Sequence, residues 1–330
     1  MRTPLFWYQR PGLLARALTP VGWLYAAATA RRVRRGAQGY RAPCPVICIG
    51  NINAGGTGKT PTAMALAGIL TGKGHKVMIL TRGYGGALTG PVVVNPTTHC
   101  AANVGDEPLL LAGFAPTVVA KDRAAGARMI GDMGADVILM DDGFQSPAVI
   151  KDLSIVVVDA ARGFGNGLCI PAGPLREPVV AGLARADMLL TIGDQAAQNR
   201  VTRNMPPSAD LPRLQAALQP LPTGMPWQGM RAYAFAGIGH PEKFFQTLRT
   251  AGVNLCGAVG LGDHDPISRT LFERLAKQAR DANAQLVTTE KDAVRLPPDL
   301  RGQVLPFPVR LTWQDGDGAA LDAALNHLGL

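Results

Sequence analysis

The segment Pro45-Val46-Ile47-Cys48-Ile49-Gly50-Asn51-Ile52-Asn53-Ala54-Gly55-Gly56-Thr57-Gly58-Lys59-Thr60-Pro61 constrains this chain more than any other. Its β-branched start, Val46 to Ile49, reads as a buried strand. A glycine-rich turn follows, and Lys59-Thr60 open an Ala/Leu-rich helix that Gly72 and Gly74 end. Strand, turn and helix in that order make a phosphate cradle. Backbone N–H groups of Asn53, Ala54, Gly55, Gly56, Thr57 and Gly58 and of the helix start face the phosphates. Lys59 reaches the β/γ oxygens, and the Thr60 hydroxyl ligates Mg²⁺. The spacing departs from G-x-x-x-x-G-K-[ST] at one place, Asn53, where the pattern has Gly. A glycine-rich turn that binds nothing is the plain alternative; it does not account for Lys and Thr following in order.

Downstream, short apolar runs recur at Val77–Leu80, Val92–Val94, Pro116–Ala120, Asp136–Met140, Ser154–Val158 and Met188–Ile192, with helical stretches between several of them. That alternation predicts an α/β fold: a P-loop NTPase-like, mostly parallel sheet covered on both faces by helices, with ligands at the strands' C-terminal ends. From Gln195 to Gly229 prolines and polar residues take over, which marks residues 195–229 as a hinge or linker between a core (43–194) and a smaller C-terminal α/β domain (230–330). The chain's 330 residues are enough for one large or two modest domains. Five scattered cysteines without C-x-x-C spacing read as reduced thiols and no zinc site.

Charge is distributed unevenly. The formal net charge is +9, and no Asp or Glu precedes Asp106. Arg2, Arg10, Arg16, Arg31, Arg32, Arg34, Arg35 and Arg41 crowd the first segment, among Leu5, Phe6, Trp7, Tyr8, Leu13, Leu14, Trp23 and Leu24. Arg10, Arg16, Pro11 and Pro20 leave no uninterrupted apolar span of about twenty residues. Residues 1–42 therefore read as a basic, aromatic helix lying on an anionic membrane surface, or as a helix packed on the protein's own core with solvated arginines. A secretory signal does not fit, because Arg16 and Pro20 interrupt the stretch where its apolar core would lie. No nucleic-acid module is recognisable.

Candidate chemistry clusters at strand ends. Ile138-Leu139-Met140-Asp141-Asp142 has the form of the carboxylate-bearing strand that accompanies a P-loop and holds Mg²⁺ directly or through water. Asp106-Glu107, the first acids, offer a base or a metal ligand, or a helix N-cap before Pro108. Arg82, Arg123 and Arg176 can clamp phosphates or form surface ion pairs. His264, between Asp263 and Asp265, is a candidate acid–base partner or a solvated capping-loop imidazole. Lys291-Asp292 lacks the N-K-x-D order of guanine recognition, which favours ATP over GTP.

Taken together, these pieces resemble the tetraacyldisaccharide 4′-kinase family. The matching motifs are Gly55-Gly56-Thr57-Gly58-Lys59-Thr60-Pro61, Thr81-Arg82-Gly83-Tyr84-Gly85, Gly105-Asp106-Glu107-Pro108, Lys121-Asp122-Arg123 and Asp141-Asp142-Gly143-Phe144-Gln145. They continue with Pro171-Ala172-Gly173-Pro174-Leu175-Arg176-Glu177, Gly237-Ile238-Gly239, Asp263-His264 and Thr289-Glu290-Lys291-Asp292. Asn53 is also usual in that family. The resemblance implies phosphoryl transfer from ATP with Mg²⁺ to the 4′-hydroxyl of a tetraacylated disaccharide 1-phosphate lipid, giving lipid IVA at the cytoplasmic face of the bacterial inner membrane. It implies Asp106 as base with His264 as its partner. Lys59, Thr60, Asp141, Asp142, Glu107 and Glu177 would handle phosphate and metal, and Arg123 and Arg176 would neutralise transition-state charge. Two positions depart from the family pattern: Ser146 stands where His is usual, and Asp265 where many members have a second His. The rival reading is a membrane-associated P-loop ATPase switch, which would carry a signature Lys where this chain has Ala54.

Overall fold

The computed structural model describes residues 4–203, 205, 211–262, 265–314 and 316–330. In chain order, helix α1 (Leu13–Val33) precedes β1 (Val46–Gly50), α2 (Lys59–Gly72), β2 (Val77–Thr81) and β3 (Val92–Val93). Two short helices, α3 (Ala101–Val104) and α4 (Asp106–Leu111), lead to β4 (Thr117–Val119), α5 (Arg123–Asp132), β5 (Val137–Asp141) and β6 (Leu153–Asp159). Then come α6 (Val179–Leu183), β7 (Met188–Ile192), α7 (Gln195–Arg203) and β8 (Arg213–Pro220). A second run holds β9 (Arg231–Ala236), α8 (Pro241–Thr250), β10 (Asn254–Gly260), α9 (Arg269–Asp281) and β11 (Gln285–Thr289). It continues with α10 (Glu290–Arg295), α11 (Pro298–Arg301) and β12 (Leu305–Phe307), and β13 (Val309–Trp313) and α12 (Asp317–His327) close the chain.

Nine strands form one sheet in the order β13-β8-β7-β6-β1-β5-β2-β4-β3, and four form another in the order β10-β9-β11-β12. The large sheet is parallel except at its two edges, where β3–β4 and β8–β13 pair antiparallel. Its central strands are buried along their whole length because helices cover both faces. One face packs Ile47, Ile49, Leu139 and Leu190 against α2 and α12; the other packs Cys48, Met140, Val156 and Leu189 against α5, α6 and α7. Strand order reverses on either side of β1, with β5 on one flank and β6 on the other, so the turn after β1 opens at the topological switch point.

The division of the chain differs from the one expected. The stretch 195–229 is not a linker throughout: α7 and β8 belong to the large unit, with β8 paired to β7. The last residues also return to it. β13 pairs with β8, and Leu311, Leu321, Leu325 and Leu330 join the core beneath α2. The smaller unit therefore spans β9 to β12, and the backbone crosses between units twice, after β8 and after β12, where Leu221 N–H bonds the Pro308 carbonyl at 3.0 Å. Prolines flanking β8 hid a strand whose alternate residues Leu214 and Ala216 are buried.

Helix α1 lies along the large unit by one narrow face. Ala15, Gly22 and Thr29, seven apart, are its buried residues, and Gly22 faces the Cys169 carbonyl so closely that an added Cβ would sit 2.9 Å from the oxygen. On a helix of 3.6 residues per turn, Leu13 and Leu24 project roughly opposite and Leu14, Val21 and Trp23 to the flanks, and all five are exposed, Trp23 by 69 %. No described helix is long and apolar enough to cross a membrane. All five cysteines are free thiols.

Candidate active site

The parallel strands β1, β5 and β6 end on the same sheet edge, and the chemistry collects there. Gly58 caps α2 with φ 99°, a left-handed conformation that favours Gly, and the turn closes there onto Ile192 of β7. The turn is braced from within: Asn51 Nδ2 donates to the Gly55 carbonyl at 3.3 Å and to Thr57 Oγ1 at 3.2 Å. Asn53, in place of the usual Gly, donates from Nδ2 to the Gly163 carbonyl at 3.0 Å, while Ala54 N–H bonds the Pro174 carbonyl at 2.7 Å. The loop 160–176 thus clamps the turn from outside. Gly55, Gly56 and Thr57 complete the turn, and Lys59 and Thr60 open α2.

Two adjacent carboxylates at the end of β5 behave oppositely. Asp141 is 1 % exposed, and its Oδ1 has no hydrogen-bond partner. Burial first, and then the negative charge of Glu107, push its carboxyl up to about 7, against the pull of Lys59. Asp142 turns outward with φ 50°. Its burial works in the raising direction but is outweighed by Lys59 and Arg176, which hold it at about 2. Arg176 grips Asp142 bidentately at 2.8 and 3.3 Å, Lys59 Nζ stands 3.7 Å away, and Arg123 donates to the Asp142 carbonyl at 2.7 Å. Arg123 Nε is itself buried without a partner. The expected phosphate-clamping residues Lys59, Arg123 and Arg176 are therefore brought together around one backbone turn.

Mg²⁺ typically takes one or two protein carboxylates and fills its remaining positions with water and phosphate. The buried, orphaned Asp141 Oδ1, within electrostatic reach of Lys59 at the start of α2, fits that requirement. Asp142 is already engaged by Arg176. Glu177, expected among the metal residues, instead accepts from Gln145 Nε2 at 3.0 Å and from Arg185 at 2.5 Å, so both oxygens serve a structural network. Gln145 also donates to the Asn51 carbonyl at 2.7 Å, and Arg185 lies 4.4 Å over the Phe144 ring. Among the described residues, no group of three or more His, Cys, Asp or Glu could hold a metal by protein ligands alone.

The raised Asp141 carboxyl has a consequence for stability. Its ordinary value is 3.8, so between about 4 and 7 the folded chain binds a proton that the unfolded chain has lost. The side chain's contribution therefore falls as pH rises through that window and levels off above it, a change of roughly 1 to 4 kcal/mol. Asp141→Asn should remove this slope. Melting curves of the ligand-free protein at pH 5 and 8 are expected to show the variant gaining on the wild type at the higher pH while losing phosphotransferase turnover.

Asp106 enters from α4. Gly105 precedes it with φ 94°, and an added Cβ would meet the Tyr84 carbonyl oxygen at 2.5 Å, so Gly alone lets this segment dock beside the loop after β2. Asp106 is 5 % exposed, and its Oδ1 accepts the Glu107 N–H at 3.0 Å. Across from it, Lys291 Nζ lies 3.7 Å from Asp106 Oδ2 and 3.4 Å from Glu107 Oε1. His264, expected as the partner of Asp106, lies outside the described residues.

A mostly parallel sheet, a lysine-bearing phosphate turn at its switch point and a carboxylate strand beside it define a P-loop phosphotransferase. A sequence profile described as tetraacyldisaccharide-1-P 4′-kinase matches residues 14–328. The chain belongs to that family, and it is a kinase. It is 61 % identical to the tetraacyldisaccharide 4′-kinase of Dinoroseobacter shibae, covering 99 % of this chain and 98 % of that one. It is 56 % identical to the enzyme of that name from a Jannaschia species, covering 99 % of both. The fold matches the crystal structure of LpxK from Aquifex aeolicus in complex with ATP with a TM-score of 0.77, at 24 % identity, over 96 % of this chain and 99 % of that one.

Three contributors to the site were not assigned roles from the sequence. Gln145 lies within the Asp-Asp-Gly-Phe-Gln motif, yet no local pattern shows that it ties Glu177 to the P-loop. Arg185 carried no signal. Lys291 carries no local sign of its contact with Asp106 and Glu107, because these carboxylates lie far away in the chain.

Proposed function

We propose that this chain transfers the γ-phosphoryl group of ATP, with Mg²⁺, to the 4′-hydroxyl of a tetraacylated disaccharide 1-phosphate lipid. The observation that carries the reading is a cation cluster of Lys59, Arg123 and Arg176 around Asp142, with Asp106 buried at the start of α4 beside Glu107, whose charge acts on Asp141. Phosphoryl transfer asks a protein mainly for positioning and charge neutralisation, and an alcohol nucleophile also needs a proton acceptor. Asp106 accepts the 4′-hydroxyl proton. The sugar oxygen forms the new bond to the γ-phosphorus as the bond to the β-phosphate oxygen breaks, leaving ADP and a phosphomonoester. Lys59 follows the β/γ oxygens, and Arg123 and Arg176 offset the charge that spreads over the equatorial oxygens. Asp141 and Thr60 would hold Mg²⁺, which would supply further neutralisation of that charge. His264 would assist Asp106 as its acid–base partner, as the family resemblance implies.

The kinase works from the cytoplasmic face of the bacterial inner membrane as a peripheral protein. Supporting this are the exposed apolar face of α1, with Leu13, Leu14, Val21, Trp23 and Leu24, and the exposed Arg31, Arg32, Arg34 and Arg35 at its end. Replacing Trp23 and Leu24 together by Ser should weaken co-sedimentation with anionic vesicles by about ten-fold or more, since each buried side chain is worth roughly 1.5–3 kcal/mol. Unchanged co-sedimentation would remove α1 from the membrane contact.

The activity is tested by transfer of label from γ-labelled ATP to the purified disaccharide 1-phosphate lipid in detergent micelles. Labelled lipid that requires Mg²⁺ is expected. ATP hydrolysis stimulated by bare anionic vesicles, with no labelled lipid, would indicate the ATPase switch instead.

A further inference from the structure

We infer that Lys291 is the positioning residue through which the smaller unit orients the Asp106 carboxylate for phosphoryl transfer. The inference rests on the reading of Asp106 as the base.

Helix α10 is fixed at both ends before it reaches the large unit. At its start, Thr289 Oγ1 accepts the Asp292 N–H at 3.0 Å and donates to Asp292 Oδ2 at 2.7 Å. Asp292 is fully buried, accepts the Gly237 N–H at 2.9 Å and is paired with Arg295 at 2.6 Å. Arg295 also donates to the Gly237 and Asp265 carbonyls. At the other end, Arg301 donates to the Val294 and Leu296 carbonyls, each at 2.9 Å. Glu290 is held bidentately by Arg310 at 2.6 and 2.9 Å. Val294 packs across the boundary on the cluster of Val94, Val104 and Leu109, which underlies α4. The neighbours of Lys291 thus have structural partners inside or beside their own unit, and the Lys291 ammonium lies within ion-pair distance of two carboxylates of the other unit.

Geometry decides what that ammonium does. Asp106 Oδ1 accepts its neighbour's N–H at 3.0 Å and Oδ2 lies 3.7 Å from Lys291, so the two contacts together bear on the rotation of the carboxylate about its Cβ–Cγ bond. Glu107 shares the same ammonium at 3.4 Å. Lys59, Arg123 and Arg176 serve Asp142, and Glu107 adds negative charge against Asp141. Lys291 therefore balances the α4 pair from the opposite side, and it can do so only while the two units face each other. A carboxylate released from that contact keeps its chemistry and loses its aim.

The test is a double-mutant cycle of Lys291→Met and Asp106→Asn in the labelled-lipid assay, with Lys291→Arg as the conservative variant. Lys291→Met should lower kcat by roughly 30- to 100-fold while leaving KM for ATP within about three-fold, because misplacing a reacting group by about an ångström costs that much. Lys291→Arg should recover most of the loss, and adding Lys291→Met to Asp106→Asn should cost little more. A purely structural ion pair would instead lower the melting temperature of Lys291→Met without this kcat–KM split. Turnover of Lys291→Met within about three-fold of wild type, or losses that multiply with Asp106→Asn, overturn the inference while leaving the kinase reading intact. If Asp106→Asn itself turns over normally, the base assignment falls and this inference with it; a wild type that labels no lipid overturns both.

Discussion

Asp106→Asn should reduce lipid phosphorylation by roughly 10²- to 10⁴-fold in kcat, the range that a positioned general base contributes. The substitution is nearly isosteric and keeps the oxygen that accepts the Glu107 N–H, so α4 should remain docked beside Gly83–Tyr84. ATP affinity should change little, since the phosphate cradle is built on β1, α2 and the end of β5 rather than on α4. A loss confined to KM, with kcat preserved, would show that Asp106 orients lipid without taking its proton. Equilibrium binding of a non-hydrolysable ATP analogue, measured alongside turnover, separates the two outcomes.

Lys59→Ala should remove about 10²- to 10³-fold or more of turnover, the scale of a lost transition-state charge contact in a water-poor site. Here the kinetic loss should come with a local electrostatic change. Lys59 is first among the charges that hold Asp142 low and also draws down Asp141, so both carboxyls should titrate higher in the variant. Asp142 retains its bidentate Arg176 contact, which should keep the turn after β5 in place. The fold is expected to survive, because the Lys59 side chain contributes charge to the site rather than packing to either core cluster. Melting close to wild type with transfer abolished would agree; a collapsed melt would assign Lys59 a structural role.

Much of this architecture is legible in the residues because local rules and the global fold agree there. Val46–Ile49, Val77–Leu80 and Ile138–Met140 are apolar throughout, as strands buried on both faces must be, and each occurs as a strand of the large sheet. Gly58 and Lys59 could be placed because their neighbours in sequence are their neighbours in space. Strand β8 was not legible: half-buried, polar on alternate positions and flanked by prolines, it reads as linker until β7 and β13 pair with it.

By itself, the order of residues determined the phosphate turn, the strand–helix alternation, the acid-free basic arm and the carboxylates at strand ends. Each of these is a property of a short window, and short windows fix backbone conformation and local charge. The tertiary structure decided which carboxylate carries which burden. Asp141 and Asp142 are consecutive and chemically identical, yet one is buried beside Glu107 and the other is clasped by Arg176, a residue far along the chain. It likewise decided that β13 and α12 return to the large sheet, that Glu177 faces Arg185, and that Lys291 meets Asp106 across the boundary between units. Pairings of this kind depend on which surfaces come together when the apolar faces are buried.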